Sequence, residues 1–384
     1  MLTLAPSPWF WDTPQYITVA HIMGLAHPPG NPLFVTIGRA WDLFLSPLGL
    51  PVAVRINLLA AVSSALGTGF FFLVTHRVLQ RWIGEGHDDV WLRRMPLIGA
   101  WLGALMAATA YTVWNQSNVN EKVYTLSLLG IAVVAWLVMR WIDRKDEPGA
   151  GWLLVLAVYI MFLGSTNHLM ALLVAPAFAA TVLVVKPAVL KDPNLWTRGV
   201  LAVVLALSFN FFLPIRADQQ PIINQGEPVC ESLTGAALAI YSNGNLGCAA
   251  LGANLTREQY GKPPLSDRQA PIGHQLANWF QYFDWQWARG LSPSETPGNS
   301  RLPVTLLFLG LGLGGLVVAF GAGRGEGTFL AVLAVTLSLA LVYYLNFRYG
   351  YSLADDSIDR LQREVRERDY FFTAGFHLWG FLAA

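Results

Sequence analysis

Apolar runs closed by charged clusters recur along the whole chain. Pro51–Val74, Leu97–Val113, Val123–Val138, Trp152–Gly164, Leu169–Val185, Val200–Leu213, Pro303–Phe320 and Phe329–Leu345 are each almost free of ionisable residues. Inside a bilayer no water can satisfy backbone N–H and C=O groups, so lipid-facing runs of this kind must be helices. Composition agrees: 54% of the 384 residues are apolar and 13% charged, about half the ~25% charged share of soluble domains. Fifteen Trp and 21 Phe suit aromatic belts at two membrane interfaces. A net charge of +1 supplies no basic field for nucleic acid. The fold class expected is an all-α polytopic membrane protein. Several apolar cores run only 13 to 17 residues, short of the ~20 that span a bilayer, so the boundaries are soft.

The expected organisation is a single transmembrane domain. Residues 1–50 form a first outer loop with interfacial helices, including Leu33–Leu48, which carries Arg39 and Asp42. Residues 51–215 are transmembrane helices, 216–302 an extracytoplasmic segment, 303–346 two more spans, 347–369 an outer loop and 370–384 the start of a further helix. The chain opens on MLTLAPSPWFWD, like the end of an apolar helix, and closes within FFTAGFHLWGFLAA; the expectation is a piece of a longer protein, cut inside a membrane helix at each end. Lys and Arg in the short loops set orientation. Arg77, Arg81, Arg93, Arg94, Arg140, Arg144, Lys145, Lys186, Lys191, Arg198 and Arg324 fall on one side, and the opposite short loops hold only Lys122. The basic side is therefore expected to be cytoplasmic. Five polar segments then share the other face: the opening loop, WNQSNVNEK, STNH, the long segment and REVRERDYFF.

The densest polar chemistry is Asp12–Pro32, with Asp12, His21, His27 and the run Pro28-Pro29-Gly30-Asn31-Pro32. Proline fixes φ, removes a donor and pushes the preceding residue towards extended geometry, so Pro28, Pro29 and Gly30 should shape a rigid, non-helical loop. Asp12 before Thr13-Pro14 can cap a helix or act as a general base at an acceptor hydroxyl. His27 can meet phosphate or brace the loop, and His21 reads as packing or surface. Glu121 reads as a helix-start residue or a site residue. Asn167 and His168, in a four-residue turn between spans, can cap a helix, but polar groups at membrane depth read first as functional.

In REVRERDYFF the alternating charges can form a solvated helix face, or Arg366 and Arg368 can fork onto a lipid-linked phosphate. NWFQYFDWQWARG reads as a helix over Ile272–Trp287 resting on the membrane interface, with stacking on a sugar or peptide as the sharper alternative. Cys230 and Cys248, 18 apart, can pair in an oxidising compartment or stay free. The glycines of Leu311–Gly315 read as helix packing. The sequence contains no HExxH, no CxxC and no Gly-rich loop after a strand, and neither a metal nor a cofactor is expected.

WDTPQYITVAHIMGLAHPPGNPLF resembles the signature of the family once called domain of unknown function 2723, now a glycosyltransferase family whose animal members are protein O-mannosyltransferases. WNQSNVNEKVYTL, GSTNHL, LPIRADQQPIIN, YFDWQWARG and EVRERDYFF are similar to further blocks in the same order. The resemblance implies a GT-C-like helical bundle with its site on the extracytoplasmic face. It also implies a lipid-linked sugar donor on polyprenyl phosphate and, as acceptor, a Ser or Thr hydroxyl of a protein or peptide. Asp12 matches the position of the base in an inverting transfer. Donor binding would fall to His27, Arg216, Arg366 and Arg368, with Glu121, Asn167 and His168 in the same site. The family pattern has a second acid three residues after the first, where this chain has Gln15. A non-catalytic transporter, lipid-handling protein or scaffold is the alternative.

Overall fold

A computed structural model describes residues 3–84, 89–119, 123–261 and 263–384. In chain order its principal helices are α1 (Thr13–Ile22), α2 (Pro32–Leu45), α3 (Val52–Ile83), α4 (Val90–Thr109), α5 (Tyr111–Asn118), α6 (Tyr124–Arg144), α7 (Gly151–Ser165) and α8 (Leu169–Val185). They continue as α9 (Pro193–Asp218), α10 (Leu233–Tyr241), α11 (Ala249–Thr256), α12 (Ile272–Ala288), α13 (Leu302–Ala322), α14 (Arg324–Leu345) and α15 (Thr373–Leu382). No strand occurs among the described residues; Leu25↔Asn224 and Tyr349↔Arg363 are isolated bridges. Helix starts follow local chemistry. The carboxylates of Asp89 and Asp192 accept from Trp91 N and Asn194 N, and the Ser232 hydroxyl accepts from Gly235 N, each satisfying a donor left over by the first turn.

By length and composition α3, α6, α9, α13 and α14 can cross a membrane, and α4 with α5 makes a sixth run bent by 68°. Helices α7 and α8 are shorter apolar ones. The chain is thus an all-α polytopic membrane protein. One expected loop is helical: α3 continues to Ile83, so Arg77 and Arg81 lie on a helix.

The described residues fall into two compact units, with 1–67, 116–172 and 188–262 in the first and 68–115, 173–187 and 263–384 in the second. The first is built on two apolar clusters. One joins Tyr16, Val19, Phe34, Val35, Ile56, Leu59 and Val123 from α1, α2, α3 and the start of α6. The other joins Leu25, Leu213, Ala236, Ile240 and Leu251 from the opening loop and α9 to α11. Cys230 and Cys248, partly buried against the second cluster, form a disulfide with Cα atoms 5.6 Å apart.

The charges of α2 do not mark an exposed face. Asp42 is buried and lies 3.0 Å from Arg55 Nη2, 3.3 Å from Arg39 Nη1 and 2.8 Å from His21 Nδ1. Buried charge survives only when paired, and this acid draws its partners from α1, α2 and α3.

In the second unit the second half of α12 packs into the core, while Ile272 and Leu276 of its first half are exposed. Tyr282, Phe283, Trp285, Asp284 and Gln286 are all buried. Asp284 accepts from Arg301 Nε and Thr305 Oγ1 at 2.6 Å each, while Arg301 also donates to the carbonyls of Ser292, Ser294 and Thr296. Gly315 does pack helices as expected: a Cβ there would fall 1.9 Å from the Leu382 carbonyl oxygen. Buried Glu326 on α14 takes hydrogen bonds from Arg77 Nη2 at 2.9 Å and Arg81 Nη1 at 2.8 Å.

Candidate functional site

Helix α1 opens the site. Pro14 stands in its first turn, and the Asp12 carbonyl accepts from Tyr16 N at 3.0 Å. The Asp12 side chain is half-buried and makes no capping hydrogen bond to the first turn. Residues three and four apart share a helix face, so Asp12, Gln15 and Tyr16 point to one side. His27 meets that side: its Nδ1 lies 2.5 Å from Gln15 Oε1 and its Nε2 3.4 Å from Tyr16 Oη. With the glutamine oxygen facing it, Nδ1 carries the proton and Nε2 keeps its lone pair. Burial, and then the Arg257 guanidinium, hold the His27 pKa below the usual imidazole value, so the ring is neutral at pH 7. Burial pushes the Tyr16 and Tyr260 phenols up, leaving both as neutral hydroxyls.

The loop after His27 is held from four sides. The Pro28–Pro29 peptide is cis, and Gly30 has φ +82° with its Cα against buried Leu213. Asn31 caps α2 in left-handed geometry, which asparagine tolerates. Its Oδ1 accepts from Tyr16 Oη at 3.3 Å, and its Nδ2 donates to the Asn167 carbonyl. Asn167 is itself buried, donating from Nδ2 to Val123 O at 3.0 Å and to Ser127 Oγ at 2.9 Å. Tyr260 Oη donates to Pro28 O at 3.3 Å, and Leu25 N to Ile223 O at 2.8 Å. The first unit therefore gathers the opening loop, the STNH turn, the start of α6 and the 216–260 segment around one loop.

The remaining expected site residues divide. Arg216 closes the C-terminal end of α1, donating from Nε to Met23 O at 2.7 Å and from Nη2 to Ile22 O at 3.3 Å. His168 Nδ1 accepts from Met170 N at 3.1 Å, and its ring stands edge-on to Tyr124 at 5.2 Å. Glu121 lies outside the described residues.

Arg366 and Arg368 belong to the second unit. Their segment is mainly irregular, so its alternating charges do not line a helix. Arg368 turns Nε and Nη2 onto Glu364 Oε2, at 2.8 Å each, and Nη1 onto the Tyr370 hydroxyl at 2.7 Å. Arg366 stacks over the Tyr370 ring at 5.1 Å. Glu367 accepts from Tyr282 Oη at 2.9 Å, and burial raises its pKa.

Sequence reasoning passed over Tyr16, Tyr260, Asn254 and Arg257. Asn254 is only 3% exposed. No periodicity or motif marks isolated polar residues on an eight-residue helix such as α11.

Residues 12–191 match the family described as Protein O-mannosyl-transferase TMEM260 N-terminal domain. The chain is 30% identical over 144 residues to the mouse (Mus musculus) "Protein O-mannosyl-transferase TMEM260", a match covering 36% of this chain and 17% of that protein. It is 24% identical over 186 residues to the Dictyostelium discoideum "Protein O-mannosyl-transferase tmem260", covering 46% of this chain and 21% of the relative. The matched stretch is thus about a fifth of the length of these curated relatives. No solved structure matches the chain. The match begins at Asp12 and takes in the His27–Pro32 loop, Asn167 and His168: through residues 12–191, this chain is similar to the TMEM260 N-terminal domain family.

Proposed function

We propose that the chain belongs to a membrane protein O-mannosyltransferase. It transfers mannose from a polyprenyl-phosphate donor to a Ser or Thr hydroxyl of an acceptor protein, within a GT-C-like architecture. The observation that carries this reading is the Asp12 carboxylate. It opens the family match, makes no cap to its own helix and stands on the face of α1 that the braced His27–Pro32 loop abuts.

In the reaction Asp12 accepts the hydroxyl proton as the acceptor oxygen attacks the anomeric carbon. The bond from that carbon to the phosphate oxygen breaks with inversion, and its electron pair leaves on the phosphate. Lipid phosphate is a stable anion, so no protonating acid is required. Pro28, Pro29, Gly30, Asn31 and Asn167 keep the loop fixed, and preorganised geometry lowers the cost of reaching the reactive arrangement. Gln15 cannot take a proton; it orients His27 instead. The disulfide supports an outward site, because disulfides persist in oxidising compartments and segment 216–260 is bonded to the loop.

The test is transfer from a polyprenyl-phosphate mannose to a peptide by the purified full-length protein. Asp12→Asn, with unchanged melting behaviour, should lower the rate about 10²- to 10⁴-fold, the usual contribution of a general base. Wild-type turnover by Asp12→Asn would refute the base role. A wild-type protein that transfers nothing would favour a non-catalytic scaffold, the reading that Gln15 at an acidic position keeps open.

A further inference from the structure

We infer that Asn254 and Arg257 form a subsite for the glycosyl phosphate group of the donor, the guanidinium receiving phosphate oxygen and the amide a sugar hydroxyl. The inference rests on the transferase reading and names residues that reading does not use. Asn254 is 3% exposed, yet neither its Oδ1 nor its Nδ2 has a hydrogen-bond partner. Folded proteins leave few buried polar atoms unpaired, and each one calls for an explanation. Three residues on, Arg257 Nε and Nη2 are likewise buried and unpartnered. Buried guanidinium N–H groups are normally matched by an anion.

Both residues lie beside the His27–Pro32 loop. A Cβ on Gly226 would fall 2.6 Å from Asn254 Nδ2 and 3.0 Å from Pro28 Cγ, so the amide and the proline ring meet over the same glycine. Tyr260, three residues beyond Arg257, holds the Pro28 carbonyl. The Arg257 charge helps hold the His27 pKa below its usual value, in keeping with a guanidinium near the loop that Tyr260 holds. At the other end of α11, Cys248 is the N-cap residue and is tied to Cys230, so the helix carrying Asn254 is anchored at both ends.

The donor set selects the ligand class. An inorganic anion would satisfy Arg257 and leave Asn254 Oδ1 without a donor. A neutral sugar would serve both atoms of the amide and leave the buried Nε and Nη2 of Arg257 without an anion. A glycosyl phosphate answers all of them: anionic oxygens for the guanidinium, and a hydroxyl that donates to Oδ1 and accepts from Nδ2.

The experiment is binding to the intact protein in lipid nanodiscs, with mannose 1-phosphate, methyl mannoside, inorganic phosphate and a polyprenyl-phosphate mannose as probes. Wild type should prefer mannose 1-phosphate to phosphate and to methyl mannoside. Arg257→Met should weaken mannose 1-phosphate and phosphate alike, by about tenfold or more, and Arg257→Lys should restore part of the loss. Asn254→Leu should erase the preference for mannose 1-phosphate over phosphate and leave phosphate binding in place. Tighter binding of the polyprenyl-linked probe than of mannose 1-phosphate would assign the group to the lipid donor, and equal binding to a free sugar phosphate.

Should the variants not fold, wild-type protein gives an independent readout: phenylglyoxal labelling of Arg257, read by mass spectrometry, should be blocked by mannose 1-phosphate and not by methyl mannoside. Unchanged affinity in Arg257→Met, or labelling that mannose 1-phosphate does not slow, overturns the subsite. The two readings fail separately. Mannosyl transfer with an unchanged donor KM in Arg257→Met removes the subsite alone, whereas tight mannose 1-phosphate binding without any transfer removes the transferase reading alone.

Discussion

Gly30→Ala is a direct probe of the rigid loop, because two separable costs act at that position. Gly30 has φ +82°, and an ideal Cβ there would stand 2.6 Å from Leu213 Cδ2, on a side chain with 0% exposure. Placing an L-residue in left-handed geometry costs roughly 1–2 kcal/mol, and overpacking a filled core about 1–3 kcal/mol. The expected loss is therefore about 2–5 kcal/mol, a large part of the stability of any one domain.

A double-mutant cycle with Leu213→Ala divides it. Leu213→Ala alone should cost about 2–5 kcal/mol through its cavity, but in its presence the new methyl has room. The double variant should then be less damaged than the sum, by about 1–3 kcal/mol, the overpacking share. The measurement is denaturant or SDS unfolding in mixed micelles, with transfer activity followed in parallel. Additivity within about 0.5 kcal/mol would show that the methyl and Leu213 never meet, and a neutral Gly30→Ala would refute the left-handed backbone itself.

Arg301→Ala strands the buried Asp284 carboxylate and should cost about 3–5 kcal/mol; the apolar pair Arg301→Met with Asp284→Leu should recover much of that, as read by melting in detergent. Cys230→Ser with Cys248→Ser opens a loop of 18 residues and should lower stability by about 3 kcal/mol, an effect that reducing agent should reproduce in the wild type. His27 has a folded-state pKa below its unfolded value, so acid favours the unfolded chain. Its contribution is complete above about pH 6.5, the unfolded value, and is lost as pH falls towards the folded pKa. His27→Gln should flatten stability across that window, and an unchanged acid profile would mean that the ring is not buried neutral.

What the sequence disclosed was local. Pro28, Pro29 and Gly30 announce a stiff loop because proline and glycine act on their own backbone, and the membrane class follows from composition that needs no partner. The site's bracing was hidden because its partners are far away. Asn31 meets Asn167 across 136 residues and Tyr260 reaches Pro28 across 232, distances at which no spacing rule operates. Arg216, which the resemblance assigns to donor binding, also holds two helix-end carbonyls, contacts that a lone arginine in a sequence does not announce. Arg77 and Arg81 read as loop cations because their acid, Glu326, lies 249 and 245 positions away. Arg257 and Asn254 stayed silent for the opposite reason: their signal is the absence of partners, which only coordinates reveal.

The pairing of Arg77 with Glu326 also bears on how the chain is made. The two are separated by 249 positions, so at 5–20 residues per second a ribosome needs roughly 10–50 s to supply the acid after the arginine has emerged. Through that interval α3 holds a cation with no counter-charge on a helix otherwise suited to lipid. An unpaired arginine at a helix centre opposes insertion by about 2.5–3.5 kcal/mol; Arg77 lies two turns from the end of α3, where its side chain can extend to the headgroups while it waits. An order of biogenesis is then expected: α3 rests shallow until α14 arrives with Glu326. Glu326→Gln should therefore leave α3 inserted but poorly seated, so that early and late stages of membrane integration separate in a translation-arrest series.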